Sequence, residues 1–460
     1  MEGKDRAMEE INFLKNIFFR FSKADFSGTG GNLMKNSSYQ LAQSLVLKFG
    51  SLLFTIIIAR MLLPDIMGLY NLALVTIILF FSFSDLGISR ALITFGAQLL
   101  GEKKLSKTKG YVKILFRWKL YLGLISSVIL LSSSYFISNF YYNKPIFYAL
   151  LAGGVYIPLV SLVGFIEQMF KATENFKIPL IKEIIFQTSR LILVPISIFL
   201  FLRIGLSNQG VVFITILIIS ITYLIPLLFL VVTAKKKISF LKVKAKNLNK
   251  KEILDLKRFI TPLSVTVMAG MFFGYIDTLM LGYFIEETRF IAYYGAAFSL
   301  VGGAITILAS MTTSLMPVFA RKSGKALESI FRKARDLTLI ISILAGIFTW
   351  LLAYYIIRIT YGIDYLPAVP ILKGFSILII LIPILGFYVG YFTSQKKTKE
   401  LAWLIIGSAI LNVIFNFVGI TYGLRVSGEI GGVLGAVGAT IMSKVMYFIG
   451  LIILRKRQFT

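Results

Sequence analysis

Four ionisable side chains stand in segments of the sequence that are otherwise apolar. They are the cations Lys48, Arg190 and Lys444 and the acid Asp277. A charge inside hydrocarbon costs several kcal/mol unless it faces water, protein or a ligand, so such residues mark candidate functional sites. Because three of the four are cations, the chemistry that they favour is the binding of an anion such as a phosphate or diphosphate.

Lys48 belongs to a polar stripe on its segment. Gln40, Ser44, Lys48, Ser51 and Thr55 recur at spacings of three and four residues, which places them on one face of a helix. Two interpretations fit this stripe. It faces a water-filled cavity, or it forms hydrogen bonds to a neighbouring helix while Lys48 extends its ammonium towards the membrane surface.

Arg190 lies near the middle of its segment and shares a helix face with Glu183 and Gln187. Glu183 is seven residues away, too far for a direct pair along one helix. We therefore expect Arg190 to meet a partner on another helix or an anionic ligand.

Two further residues, Lys373 and Glu167, complete the set of candidate site residues inside the apolar segments. Lys373 lies nearer the end of its segment and is a further candidate for binding the same anion. Asp277 and Glu167 are the acids that could bind a coupling ion, either a proton or sodium. For Asp277 the alternative is a structural pair with a base.

The composition places these charges in a membrane protein. The sequence has 460 residues, 57% of them hydrophobic and 15% charged, and its mean hydropathy is +0.82. At about 20 apolar residues per span, we predict an all-α membrane protein with twelve transmembrane helices. The helices are centred near residues 49, 76, 126, 158, 190, 221, 271, 305, 346, 380, 411 and 442.

Several classes of chemistry are disfavoured by what the sequence lacks. It contains no cysteine and no histidine, which excludes disulfides, thiolate chemistry and the usual zinc sites. Paired carboxylates and a nucleophile motif at one membrane depth are also missing, so we expect no enzyme activity. No cofactor and no metal site are predicted.

The formal net charge of +28 is distributed unevenly along the chain. Lysine and arginine concentrate in alternate loops, including 103–109, 235–258 and 396–399, whereas the loops between them carry none or one. By the positive-inside rule, we expect a multi-pass protein of the cell membrane with both termini in the cytoplasm. This pattern explains most of the basic excess, so no nucleic-acid partner is expected.

The longest basic loop divides the chain into two halves. The predicted organisation is a cytoplasmic amphipathic arm and linker over 1–37, a six-helix lobe over 38–233, a basic cytoplasmic linker over 234–258, and a second six-helix lobe over 259–460. A shift of 224 positions places Tyr70 on Tyr294 and Ala73 on Ala297. The two lobes are therefore predicted to be parallel repeats, related by an axis along the membrane normal.

The stretch "FSFSDLGISRALITF" follows the second apolar segment and contains Asp85, Gly87 and Arg90. The topology places it at the cytoplasmic end of the second span. Gly87 offers a bend at which Asp85 and Arg90 could approach each other or meet other segments. We expect a hinge and inner gate here rather than the substrate site.

Three stretches of the sequence resemble one family of membrane proteins. "IIIARMLLPDIMGLYNLALVTIILFFSFSDLGISRALITF" resembles the amino-terminal segment of Wzx-type polysaccharide transporters, within the superfamily that also holds the MATE antiporters and the MurJ flippases. "DTLMLGYF" with "YYGAAFSLVGGAITILASMTTSLMPVFAR" is similar to the seventh and eighth helices of that family. "ILNVIFNFVGITYGLRVSGEIGGVLGAVGATIMS" is similar to the eleventh and twelfth.

The resemblance implies two lobes in a V shape and a flippase working by alternating access. The expected partners are a lipid-linked oligosaccharide on a polyprenyl or dolichyl phosphate or diphosphate, membrane lipids and a coupling ion. Basic cavity residues of the family are thought to meet the lipid phosphate, a role for which Lys48, Arg190 and Lys444 are candidates. The alternative is an ion-coupled multidrug antiporter on the same fold, with Asp277 and Glu167 as exchange sites.

Overall fold

The computed structural model describes residues 28–321, 324–395 and 397–456. Most of the predicted amphipathic arm lies outside these residues. Its end, residues 28–37, was predicted to be part of a linker, but it forms the beginning of the first helix. Continuing the helix keeps the backbone N–H and C=O groups paired where the chain enters the apolar span.

The regular elements of the described residues are all helices. Thirteen are α-helices, with the bounds α1 Gly28–Met61, α2 Pro64–Phe83, α3 Ile88–Gly101, α4 Leu105–Phe136, α5 Phe147–Ala172, α6 Lys177–Arg203, α7 Asn208–Thr222, α8 Leu224–Lys237, α9 Lys250–Phe284, α10 Thr288–Arg321, α11 Gly324–Thr360, α12 Val369–Ser394 and α13 Thr398–Lys456. A π-helical turn, Ile137–Tyr141, continues α4, and short 3-10 helices cover Ser239–Lys242 and Ile363–Ala368.

Eleven helical segments within the described residues are long and apolar enough to cross a membrane. The last of them, Lys399–Lys456, consists of two helices joined at Ser427 and Gly428, where the backbone leaves helical geometry. Gly428 has a φ of +64°, a conformation that glycine adopts without strain. The segment therefore crosses twice, and the predicted total of twelve spans is confirmed.

The connections between spans alternate between two ends of the helix bundle. One end, called the lysine-rich end below, holds the loops 102–104, 173–176 and 238–249. The opposite end holds 62–63, 142–146, 204–207, 285–287 and 361–368. Lys171 and Lys177 flank the loop 173–176, so the connections of the lysine-rich end contain or adjoin several bases, whereas those of the opposite end contain one base or none.

Helices α2 and α10 form the centre of the contact between the two halves of the chain. The aligned residues Tyr70 and Tyr294 are both buried, in one continuous apolar core. The backbones approach closely, since a Cβ atom added to Gly68 would lie 1.8 Å from the carbonyl oxygen of Thr288. The predicted repeat therefore places equivalent helices against each other, and only glycine fits at this crossing.

Helices α1 and α9 are the first spanning helices of the two halves, and the rest of the protein buries little of their surface. Buried residues make up 11% of the most apolar window of α1 and 0% of that of α9, compared with 56% in α2. A spanning helix with so little burial borders lipid or open space on more than one side. These two helices thus present most of their apolar surface to their surroundings and not to the rest of the protein.

Candidate functional site

A group of polar side chains joins α1, α5 and α6 inside the first half. The two carboxylate oxygens of Glu167 each lie 2.7 Å from an ammonium, that of Lys171 and that of Lys182. Gln43 of α1 also donates to Glu167, at 2.9 Å. Glu167 is therefore fully engaged by two cations and an amide.

The group continues along α6 towards Arg190. Lys182 also pairs with its neighbour Glu183, at 2.8 Å. The amide of Gln187 donates to Glu183 at 2.7 Å, and its oxygen accepts from Nη2 of Arg190 at 2.7 Å. Glu183 and Arg190 are too far apart for a direct contact, as expected, and Gln187 bridges them.

Arg190 is held by neutral and aromatic groups. Its Nη2 donates to Oγ of Ser51 at 3.2 Å, and its guanidinium lies 4.2 Å from the ring centroid of Phe54 and 5.2 Å from that of Phe186. Its Nε is buried without a hydrogen-bond partner. Among the described residues, no carboxylate forms an ion pair with Arg190. Within the described residues, the charge of this cation is thus not neutralised by an ion pair.

Lys48 lies on α1, the helix that packs against α6 beside Arg190. Gly50 of α1 packs directly on Gln187, since a Cβ atom added there would lie 2.7 Å from its side chain. Lys48 is one turn from Ser51, the residue that receives the hydrogen bond from Arg190, and its side chain is exposed. The described residues offer it no acid within ion-pairing distance. Two cations on neighbouring helices are therefore left without a counter-charge.

A second polar cluster surrounds Asp277 in the other half. Its carboxylate accepts hydrogen bonds from Tyr294 at 2.9 Å, Asn416 at 2.5 Å and Thr440 at 2.7 Å. The described residues place no base in an ion pair with it. Oδ1 of Asn416 and Oδ1 of Asn412 are buried and accept no hydrogen bond. The cluster thus combines one carboxylate with two unsatisfied acceptor oxygens, a set that suits a small monovalent cation or a proton.

The remaining candidate cations lie elsewhere in the second half. Lys444 is one turn beyond Thr440, and its ammonium lies 3.3 Å from the ring centroid of Phe273. Lys373 of α12 lies 4.8 Å from the ring centroid of Trp350 of α11. Lys444 therefore adjoins the Asp277 cluster, whereas Lys373 contacts a neighbour within its own lobe.

The turn after α2 connects the two halves at the lysine-rich end. The carboxylate of Asp85 pairs with Lys119, whose side chain is only 3% exposed, and accepts a hydrogen bond from Ser89 at 2.5 Å. Arg90 is exposed and does not pair with Asp85. Gly87 has a φ of +84°, and a Cβ atom added there would lie 2.8 Å from Cβ of Leu263 in α9.

Further hydrogen bonds across the halves occur at both ends. At the lysine-rich end, Oγ of Ser264 in α9 donates to the carbonyl of Leu86 at 2.8 Å. At the opposite end, the ammonium of Lys144 donates to the carbonyl of Gly282 at 2.7 Å, and Arg60 donates to that of Thr360 at 2.7 Å. Burial lowers the pKa of Lys144, an effect that nearby carboxylates partly oppose.

Sequence reasoning missed two partners, Lys119 and Lys182. Lys119 lies in the middle of α4 and meets Asp85 in the turn after α2, whereas Lys182 lies in the second turn of α6 and meets Glu167 on α5. For Lys182 a signal existed, because Glu167 and Lys182 flank the short connection between α5 and α6 and must lie at a similar depth. No comparable signal relates Lys119 to Asp85, which is 34 positions away.

Solved structures with the same arrangement of helices are transport proteins. The lipid II flippase MurJ in an inward closed conformation has a TM-score of 0.68 and 16% identity, covering 90% of this chain and 87% of that one. An inward-facing multidrug resistance transporter of the MATE family and MOP superfamily has a TM-score of 0.64 and 14% identity, covering 92% and 94%. A MATE transporter from Vibrio cholerae has a TM-score of 0.56 and 17% identity, covering 93% and 97%. The chain therefore has the fold of these flippase and transporter structures.

Family models give the narrower assignment. One described as "Polysaccharide biosynthesis protein" matches residues 33–323, more than half of the sequence, and one described as "MatE" matches residues 262–418. The chain belongs to the polysaccharide biosynthesis protein family. No curated protein sequence matches it.

The first testable prediction concerns the buried pairs of Glu167. The substitution Lys182→Met removes the cation that pairs with the buried carboxylates of Glu167 and Glu183. Breaking a buried ion pair in this way lowers the free energy of unfolding by about 3–5 kcal/mol. Lys171→Met is the matched control, because the Lys171 side chain is 20% exposed against 9% for Lys182 and water can replace its charge. Thermal unfolding of the detergent-purified variants should show a much larger fall in Tm for Lys182→Met. Equal falls in Tm for the two variants would contradict the prediction that the Lys182 pairs stabilise the protein more than the Lys171 pair.

Proposed function

We propose that the chain is a flippase that moves a lipid-linked oligosaccharide across the cell membrane by alternating access. The carrier is a polyprenyl or dolichyl phosphate or diphosphate, and the product serves cell-surface polysaccharide or glycan assembly. A sugar headgroup with a charged phosphate cannot cross hydrocarbon unaided, which is why a protein is needed.

The observation that carries this proposal is the unbalanced charge beside α1 and α6. The polar group there contains two carboxylates, and lysines already neutralise both. Arg190 and Lys48 remain as positive charges without an acid. A guanidinium presents parallel donors that match the geometry of a phosphate, and a lysine adds a second point of charge.

Family membership and fold support the same class of activity. The family is named for polysaccharide biosynthesis, and among the similar folds one belongs to a lipid II flippase. In our proposal the lysine-rich end faces the cytoplasm, as the positive-inside rule requires, and both termini lie there. The headgroup occupies the space beside α1 and α9 while the lipid tail stays in the bilayer next to these little-buried helices.

The turn containing Asp85 and Gly87 is the inner gate of this proposal. The Asp85–Lys119 pair fixes the turn to α4, and Gly87 with the carbonyl of Leu86 contacts α9. Separation of the halves at the cytoplasmic side requires that these contacts break. Arg90 is exposed next to the gate and is placed to meet an approaching anionic headgroup.

The alternative function, a cation-coupled multidrug antiporter, requires free acids. Glu167 does not suit that role, because two ammonium groups and an amide already occupy its oxygens. Asp277 suits it better, since neutral donors surround it and two buried acceptor oxygens lie in its cluster unsatisfied. We assign Asp277 to the coupling ion, proton or sodium, rather than to the cargo.

The second testable prediction concerns the two cations. The double variant Lys48→Gln with Arg190→Gln removes the charges that meet the phosphate. The translocation rate of a fluorescent lipid-linked oligosaccharide in proteoliposomes should therefore fall at least tenfold. A tenfold fall corresponds to about 1.4 kcal/mol, the free energy of about one charge-assisted contact. Arg203→Gln is the matched control, because Arg203 is an exposed cation at the end of the same helix. Unchanged export by the folded double variant would exclude the anionic-headgroup site.

The third prediction concerns the coupling ion. We expect that the translocation rate of the unaltered protein depends on either a sodium or a proton gradient and that Asp277→Asn abolishes this dependence. Asp364→Asn, an exposed acid in a loop at the opposite end, should leave it intact. Rates measured with each gradient imposed separately provide the check. A gradient response that survives Asp277→Asn would show that Asp277 is only structural.

A further inference from the structure

The basic connection between the two halves is fastened to the first half. The ammonium of Lys109 donates to the carbonyls of Leu241 and Val243, at 2.8 and 2.7 Å. The N–H of Lys246 donates to the carbonyl of Ser106 at 2.9 Å. Residues 238–246, called the strap below, are therefore held along the first turns of α4.

Apolar residues and a glycine bring the strap close to α4. Ile238 and Phe240 are buried in the same apolar cluster as Tyr111 and Leu115 of α4. A Cβ atom on Gly110 would lie 2.1 Å from the carbonyl oxygen of Lys246, so the two backbones touch. The strap is fixed by packing as well as by hydrogen bonds.

This attachment directs a row of lysines outwards. From 241 to 246 the side chains alternate, with Leu241, Val243 and Ala245 partly buried and Lys242, Lys244 and Lys246 exposed. Lys242 ends the 3-10 helix Ser239–Lys242, and the backbone of Val243 after it is extended. None of the three lysine ammonium groups forms an ion pair with a described residue.

The surrounding charge strengthens the row. Residues 235–258 contain ten lysines and arginines and two acids, Glu252 and Asp255. Glu252 is already paired with Lys107, at 2.5 Å. The surface therefore has a large positive excess that the protein does not compensate.

The exposed face of α4 gives the depth of the strap relative to the membrane. Lys113 and Arg117 lie on this face, and Tyr121, Leu124 and Val128 continue it as exposed apolar residues. The change from cations to apolar groups marks the membrane surface after Arg117. Gly110 is seven residues before Arg117, roughly 10 Å along the helix, which is about one Debye length from the surface.

From these observations we infer that the strap lysines Lys242, Lys244 and Lys246 bind anionic phospholipid headgroups of the adjoining leaflet. The row is held in place by the backbone contacts of the strap and lies within about one Debye length of the membrane surface. Because it forms no ion pair with a described residue, a negatively charged lipid surface satisfies it without rearrangement. Because the strap connects the halves, its lipid contact also anchors the first half while the second moves. The inference does not depend on which substrate is transported.

The experiment measures lipid contact at the strap. The chain has no cysteine, so Asn247→Cys, an exposed position beside Lys246, accepts a single fluorophore. The labelled protein is placed in phosphatidylcholine vesicles with about 30% phosphatidylglycerol, and either lipid carries bromine as a contact quencher. Fluorescence quenching per brominated lipid should be at least threefold stronger for phosphatidylglycerol than for phosphatidylcholine. In about 0.5 M NaCl, the two lipids should quench equally, because salt screens the attraction between the lysines and the headgroups.

Two triple variants with the same charge change complete the test. Lys242→Gln, Lys244→Gln and Lys246→Gln together should bring the ratio close to one, because the backbone contacts of the strap do not use these side chains. Lys333→Gln, Lys397→Gln and Lys399→Gln, at the same end in the second half, should leave it unchanged. Loss in both variants, or a ratio near one in the unaltered protein, would overturn the inference. Cross-linking of the strap lysines to a protein, without lipid preference, would assign the surface to that partner instead.

Discussion

A charge in the interior of a membrane must meet a partner, and this requirement organises the polar residues of the protein. In the first half, Lys171 and Lys182 neutralise Glu167, and Lys182 also pairs with Glu183. Once these pairs are made, Arg190 and Lys48 have no acid left among the described residues. A cation without an acid in an apolar segment must be compensated by water or by a ligand, and this is why the proposed function places the anionic headgroup beside Arg190 and Lys48.

The same requirement gives the two halves different roles. The first half presents cations, whereas the second surrounds one carboxylate, Asp277, with neutral donors and unsatisfied amide oxygens. In the proposed function, the anionic cargo and the coupling cation therefore have separate sites in one bundle. The halves are in contact at both ends, through Ser264 and through Lys144, and the proposed alternating access requires these contacts to break in turn.

The twelve spans and the alternation of basic loops could be predicted because they depend on local properties. Each spanning helix satisfies its own backbone, so apolar length alone identifies it, and loop charge follows from the membrane. The partners of the buried charges could not be predicted in the same way. Asp85 meets Lys119 across 34 positions and not Arg90 five positions away, because helix packing decides which faces meet. The helical start of α1 at Gly28 was also missed, since glycine-rich sequence predicts a flexible link.

The strap shows a similar limit of sequence reasoning. Its lysines were recognised as a basic loop, but their alternating exposure depends on Lys109 and Gly110 of α4, which fix the backbone. A loop that sequence alone describes as a connection is thus a surface fixed to α4, with a row of exposed lysines. The conformation of the strap depends on tertiary contacts, which cannot be predicted from amino-acid composition.

The central claim, that the cargo is an anionic lipid-linked sugar, is tested most directly by equilibrium binding to the purified protein. A fluorescent polyprenyl diphosphate oligosaccharide and a fluorescent organic cation are titrated separately in the same detergent. The account predicts saturable binding of the first, with competition by unlabelled polyprenyl diphosphate, and no saturable binding of the second. Saturable binding of the organic cation alone would contradict it and would favour the antiporter.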